Sequence, residues 1–285
     1  MLNNRKNSKK NQLKIGRLIA NLLVAIALTL TLFFSSSIPA VAATNSTQLT
    51  QAELQELQEI FEEALTASNE GDFVAAEELW SQLIEKFPDN PALWSNRGNI
   101  RVSQNKLDEA FADYEKAIEL APYAPDPYLN RGIVYERLKD WEKAIADYNR
   151  VLEIDPEDPL AYNNRGNAEA GNGEWEKAIA DYQKAFELVP DYAFARGNYA
   201  LALYQIGESE KAVKTMKDLV RKYPSFADMR AALTACLWQE GKGGEAESNW
   251  VAAVGLDPRY QDLEWVAEIR RWPPAVTSGL EKFLK

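Results

Sequence analysis

The chain opens with two short blocks unlike the rest. Residues 1–17 are polar and carry Arg5, Lys6, Lys9, Lys10, Lys14 and Arg17 with no acid, and residues 18–34 are almost wholly apolar. From residue 57 the hydrophobic positions recur every 34 residues through six units: 57–90, 91–124, 125–158, 159–192, 193–226 and 227–260. A large residue opens the early units, at Ile60, Trp94, Tyr128 and Tyr162, and a small one follows at Ala64, Gly98, Gly132, Gly166 and Ala200. Next come an alanine in every unit (Ala76, Ala110, Ala144, Ala178, Ala212, Ala246) and a bulky residue four later (Trp80, Tyr114, Tyr148, Tyr182, Met216, Trp250). Spacing of three and four places such residues on one helix face. Each unit closes on a proline, from Pro88 to Pro258, which ends a helix because it lacks the N–H and clashes with the preceding turn. Asn90-Pro91 and Asp158-Pro159 then supply an N-cap and a first helical residue. Between these lie Gly71, Asn105, Lys139, Gly173, Gly207 and Gly241, at a place that asks for left-handed backbone. Lys139 is the residue least suited to it, so mild strain is expected there. The pattern predicts helix, turn, helix in every unit.

These residues follow the W-x2-L-G-x2-Y, A-x3-F and P pattern, and the array resembles the tetratricopeptide repeat over 57–260. The resemblance implies an all-α fold: a right-handed superhelical solenoid whose concave groove is lined mainly by the first helix of each unit. Arg97, Arg131 and Arg165 stand where that pattern has leucine. The sixth unit has Thr234 at the close-packing place and Gly243-Gly244 opening its second helix, so it is expected to pack least well. Residues 44–56 read as a lead-in and 261–285 as a cap. The cap is expected to contain a helix over 260–271 carrying Leu263, Val266 and Ile269, a break at Pro273-Pro274, and a last helix over 275–284. The W-P-P tail after such an array is similar to exported repeat proteins of cyanobacteria and chloroplast thylakoids. That likeness implies a role in assembling or maintaining membrane complexes, photosynthetic ones included.

Charge and composition add an address. A basic stretch, an apolar stretch and the small-residue run SSSIPAVAA define a secretory signal over 1–43. No twin arginine precedes it, which favours export of the unfolded chain. The expected destination is the periplasm or the thylakoid lumen, with an uncleaved N-terminal anchor as the alternative. The chain as a whole has 32 cations and 43 anions, net −11; removal of the six cations of the signal leaves −17. Contact with a membrane is expected only through that N-terminus or through a membrane-protein partner. So acidic a chain is unsuited to nucleic acid, whose binding rests on clustered Lys and Arg. With no histidine and one cysteine there is no imidazole-based catalytic pair, no internal disulfide and no zinc knuckle. Neither a phosphate loop nor a metal-ligand spacing occurs, so no cofactor is expected.

Candidate chemistry is therefore recognition. Asn96, Asn130, Asn164 and Asn198 repeat at the sixth position of four units, on the helix that the resemblance assigns to the groove. An amide offers two donors and an acceptor, suited to the backbone of an extended peptide. The groove set adds Asn99, Asn163, Asn167, Arg137 and Tyr204. Ala170-Gly171-Asn172-Gly173 lacks bulk, so the fourth unit is expected to hold the most open stretch. Family members that capture a C-terminal carboxylate need cations where this chain has Asp126, Asn130, Leu160 and Asn164. The expected protein or peptide partner is therefore neutral or basic. Arg97, Arg131 and Arg165 occur in just the units that carry Asp113, Asp147 and Asp181, which points to structural ion pairs between helices. Trp80, Trp94, Trp141, Trp175, Trp238 and Trp250 read as core, Cys236 as a buried hydrophobe, and runs such as Glu62-Glu63 as solvated faces. The six units fill most of the exported chain and leave no room for a catalytic domain. A non-enzymatic binding scaffold is expected, with a self-associating module as the alternative and a carboxylate-dependent hydrolase as a remote one.

Overall fold

The computed structural model describes residues 50–285; the signal expected over 1–43 lies outside the described residues. Thirteen α-helices follow one another, and no strand occurs among the described residues. Units one and two contain α1 (Gln51–Glu70), α2 (Phe73–Lys86), α3 (Pro91–Ser103) and α4 (Leu107–Leu120). Units three and four contain α5 (Pro125–Arg137), α6 (Trp141–Ile154), α7 (Pro159–Gly171) and α8 (Trp175–Leu188). Units five and six contain α9 (Ala193–Gln205), α10 (Ser209–Lys222), α11 (Ala227–Gln239) and α12 (Gly243–Leu256), and α13 (Pro274–Leu284) closes the chain. Helix α1 starts within the expected lead-in, six residues before the repeat frame.

Local chemistry fixes these boundaries. The Asp72, Asn90, Asp140 and Asp158 side chains each accept a bond from an N–H in the first turn of the following helix. Asn105 and Lys139 stand in the turn with φ of +62° and +59°, the left-handed region a branched or long side chain enters at a cost. The six unit alanines, Ala76 to Ala246, are fully buried. The first-helix glycines have a direct reason. A Cβ on Gly98, Gly132 or Gly166 would lie 2.8, 2.6 or 2.8 Å from the ring of Tyr114, Tyr148 or Tyr182. In these three units the tyrosine of the second helix thus packs directly against the backbone of the first.

From α2 to α12 each helix packs on the next along the chain, and the first helices of neighbouring units also touch, α3 on α5, α5 on α7 and α7 on α9. The largest apolar core lies in units four to six and the cap.

Two expectations about the C-terminal part need correction. The first helix of unit six is not loosely packed: α11 buries nine residues, Thr234 and Cys236 completely, because α13 lies across it, whereas α12 buries Ala246 and Ala253 and leaves Gly244 open, as expected. Thr234 places its hydroxyl on the Arg230 and Ala246 carbonyls, so the polar atom is satisfied. The helix expected over 260–271 is replaced by a 3₁₀ turn (Pro258–Gln261) and a π turn (Trp265–Ile269). The cause is local and tertiary together. Asp262 caps Glu264 and Trp265 and restarts the chain. The irregular path then brings three donors to the buried Asp228 carboxylate: Tyr260 at 2.7 Å, Arg270 at 3.0 Å and Trp272 at 3.0 Å. Val266 is buried as expected, whereas Ile269 points outward.

Candidate functional site: a groove crossed by the C-terminal strap

The arginines within the units are cross-braces. Arg97, Arg131 and Arg165 each form a two-pronged bond to the aspartate sixteen residues on: 3.0 and 2.7 Å to Asp113, 2.8 and 2.7 Å to Asp147, 2.6 and 2.7 Å to Asp181. The aspartates are buried, and the bond to Asp147 holds the Arg131 guanidinium above its usual range. Fork-on-fork geometry makes these the strong form of the contact. They join the first helix of a unit to its second.

The asparagines divide. Asn130 donates to Ser95 at 3.4 Å, and Asn198 donates to Asn163 and Asn167 at 3.2 and 3.1 Å, so both stitch neighbouring first helices. Asn99 and Asn167 also accept the hydroxyls of Tyr114 and Tyr182, at 2.8 and 3.0 Å. Asn164 accepts from Asn163, and Asn96 is half-buried. Part of the ladder is thus engaged within the protein.

A cavity of about 790 Å³ lies on this face in units three to five. Asn163, Asn167 and Asn198 form its polar floor, and Trp141, Trp175, Tyr192 and Phe194 form aromatic walls. Ala170, Gly171 and Gly173 line it too, in the stretch where bulk is missing. Gly171 has a further role: a Cβ there would meet the Trp141 ring at 2.9 Å, so the glycine admits the indole. Trp141 and Trp175 are therefore wall rather than core, because they sit at the start of a second helix facing the cavity. Trp238 is also part-exposed, stacked edge-on against Phe283.

Six of the expected groove residues lie away from this lining: Asn96, Asn99, Asn130, Asn164, Arg137 and Tyr204. Arg137 is exposed beside the Val102 carbonyl, and Tyr204 packs by Cys236 in the core, its hydroxyl pushed up to about 12, chiefly by burial. The cations that reach the cavity come from elsewhere. A strap spanning residues 267–274 crosses it, bringing Arg270 and Arg271, while Lys139 approaches from the far side. Arg271 donates to Glu136 at 2.9 Å and lies over the Trp141 ring, and Lys139 pairs with Glu268 at 2.7 Å. Burial pushes the Glu136 carboxyl above its usual range. Sequence reasoning missed Glu136 and Asp228. The signal for Glu136 was there: a lone acid where the units on either side carry Val102 and Ala170.

Among the described residues no cluster of three acidic or sulfur side chains is placed to hold a metal, and no helix is long and apolar enough to cross a membrane. Burial pushes the Cys236 thiol well up, away from the reactive thiolate.

Helix-turn-helix units in one stacked row, with a groove on the first-helix face, define a helical-repeat solenoid. Family profiles identify the repeat: one described as TPR repeat matches 98–139, and two described as tetratricopeptide repeat match 131–196 and 169–236. The chain carries tetratricopeptide repeats. Among solved structures it is similar to a tetratricopeptide repeat protein from Parabacteroides merdae ATCC 43184, at 23% identity and a TM-score of 0.60, covering 81% of this chain and 99% of that one. It also resembles Cut9 in its complex with Hcn1, at 16% identity and a TM-score of 0.64, over 80% of this chain and 43% of that one. A third likeness is to YrrB, described as a TPR protein with an unusual peptide-binding site, at 22% identity and a TM-score of 0.52, over 64% and 94%. Comparison with curated protein sequences finds no match. At these identities the likeness is one of fold.

Proposed function

We infer that the protein is a non-enzymatic scaffold that holds an extended segment of another protein in the first-helix groove. The observation that carries this is the cavity of about 790 Å³, with an amide floor and aromatic walls. Amides match the alternating donors and acceptors of a backbone, and aromatic faces take side chains of many kinds. YrrB, of the same fold, is described as having a peptide-binding site. A net charge of −17 after loss of the basic leader favours a neutral or basic partner. We place the protein in the periplasm or thylakoid lumen, on the signal-like residues 1–43, and assign it to the assembly or maintenance of membrane complexes there.

Two measurements test this. The N-terminus of the protein purified from its source should lie just past residue 43; an intact Met1 overturns signal cleavage. Its co-purifying partner should bind the double variant Phe194→Ala/Asn198→Ala at least ten-fold more weakly than the wild type, with helical circular dichroism unchanged. Equal affinity overturns the groove as the binding surface.

A further inference from the structure

Arg271 occupies a site that capping the array does not require. Its guanidinium donates to Oε2 of Glu136 at 2.9 Å and lies 5.7 Å from the centre of the Trp141 ring. Glu136 is only 6% exposed, and its other oxygen accepts the Tyr148 hydroxyl at 2.6 Å. The pocket is closely packed behind these groups. Tyr148 is fully buried against Gly132, and Trp141 is lodged against Gly171. A carboxylate fixed in so dry a place needs a cation opposite it, because an unpaired buried charge is costly. The indole beside it favours a flat guanidinium over a hydrated ammonium.

The occupant is held less firmly than its seat. Arg271 has φ +52°, a left-handed backbone that a non-glycine residue adopts with strain. Its side chain is 37% exposed. The nearby Lys139–Glu268 pair is solvent-exposed on both sides and adds little. The residues flanking Arg271 are anchored separately: Arg270 and Trp272 both end on buried Asp228. The Arg271 side chain can therefore swing out while the strap stays attached to unit six.

We propose that Glu136 and Trp141 form an arginine seat, filled in the unliganded protein by Arg271, and that the partner supplies an arginine on an extended segment that takes its place. The proposal rests on the groove reading above and names the residue the groove selects. The strap is then a resident competitor: it keeps the buried carboxylate paired when no partner is bound and sets a threshold that a segment without arginine does not pass.

The test uses nine-residue peptides of alternating serine and alanine with arginine, lysine or citrulline at the centre. Fluorescence anisotropy reads their binding to the full chain, to Arg271→Ala and to Glu136→Gln/Arg271→Ala. The Arg271→Ala protein should bind the arginine peptide at least ten-fold more tightly than the wild type does. It should also prefer arginine to citrulline at least ten-fold, with lysine between, and the double variant should lose that preference. Should Arg271→Ala lose its helical signal, Arg271→Lys replaces it with the same expected order. A folded variant that binds arginine and citrulline peptides alike, or binds neither, overturns the seat. Neither result bears on the groove itself, which stands or falls with Phe194→Ala/Asn198→Ala and the natural partner.

Discussion

Glu169 is the residue whose surroundings fit it least. It sits on α7 at the place where unit two has Arg101, which reaches Asp113 at 2.8 Å. In unit four an acid takes that place, and its Oε2 is buried without a hydrogen-bond partner among the described residues. Burial first, and the charge of Asp181 second, push its carboxyl up from an ordinary 4.5 to about 7. A carboxyl raised in the folded state favours folding fully below its unfolded value, and that contribution is lost as pH rises through 7. Glu169→Gln should therefore leave the melting temperature unchanged at pH 4 and raise it by a few degrees at pH 8; equal melting curves at pH 8 refute the assignment. Other residues were easier to read. Arg131 and Asp147 were legible because they come and go together across units. Glu136 stands out of phase as a lone acid, but its partner and those of Asp228 lie in the strap, 135 and 42 to 44 residues along the chain, where repeat phase carries no information.

At the scale of elements, the twelve repeat helices followed from phase alone, because proline, caps and turn residues all fall at fixed offsets. The cap did not. Its periodicity over 260–271 suits a helix, yet convergence of Tyr260, Arg270 and Trp272 on one carboxylate outweighs propensity. Helix α13 shows a similar dependence on fit. Gly279 faces α11 so closely that a Cβ would lie 2.2 Å from the Gln239 amide nitrogen and 2.9 Å from the Ala235 carbonyl oxygen. The glutamine can move, but the backbone oxygen cannot. Gly279→Ala should cost about 1–3 kcal/mol through overpacking and lower the melting temperature by several degrees, as read by circular dichroism. An unchanged melting temperature means that α13 does not support unit six. The expectation of a weak sixth unit fails at its first helix for this reason: Thr234 reads as a gap until a helix from beyond the repeats is laid over α11, while Gly244 at the start of the second helix stays open.

Across the whole array, stability in a repeat protein is carried between neighbours, and distant units ordinarily do not feel one another. Here they are joined. The strap is fixed to unit six through Asp228 and to unit three through Glu136. Asp228→Ala should lower hydrogen-exchange protection in α5 and α6 as well as in α11, while α1 and α2 keep theirs. Loss confined to α11 and the cap would show the two ends to be independent. A stack of helix pairs is mechanically a spring, able to open and close its pitch. A cord tied across four of its coils sets their spacing and leaves the first two free to flex. Cutting the cord at Arg271 would let those four coils stretch, so whatever enters the groove also decides how long the molecule is.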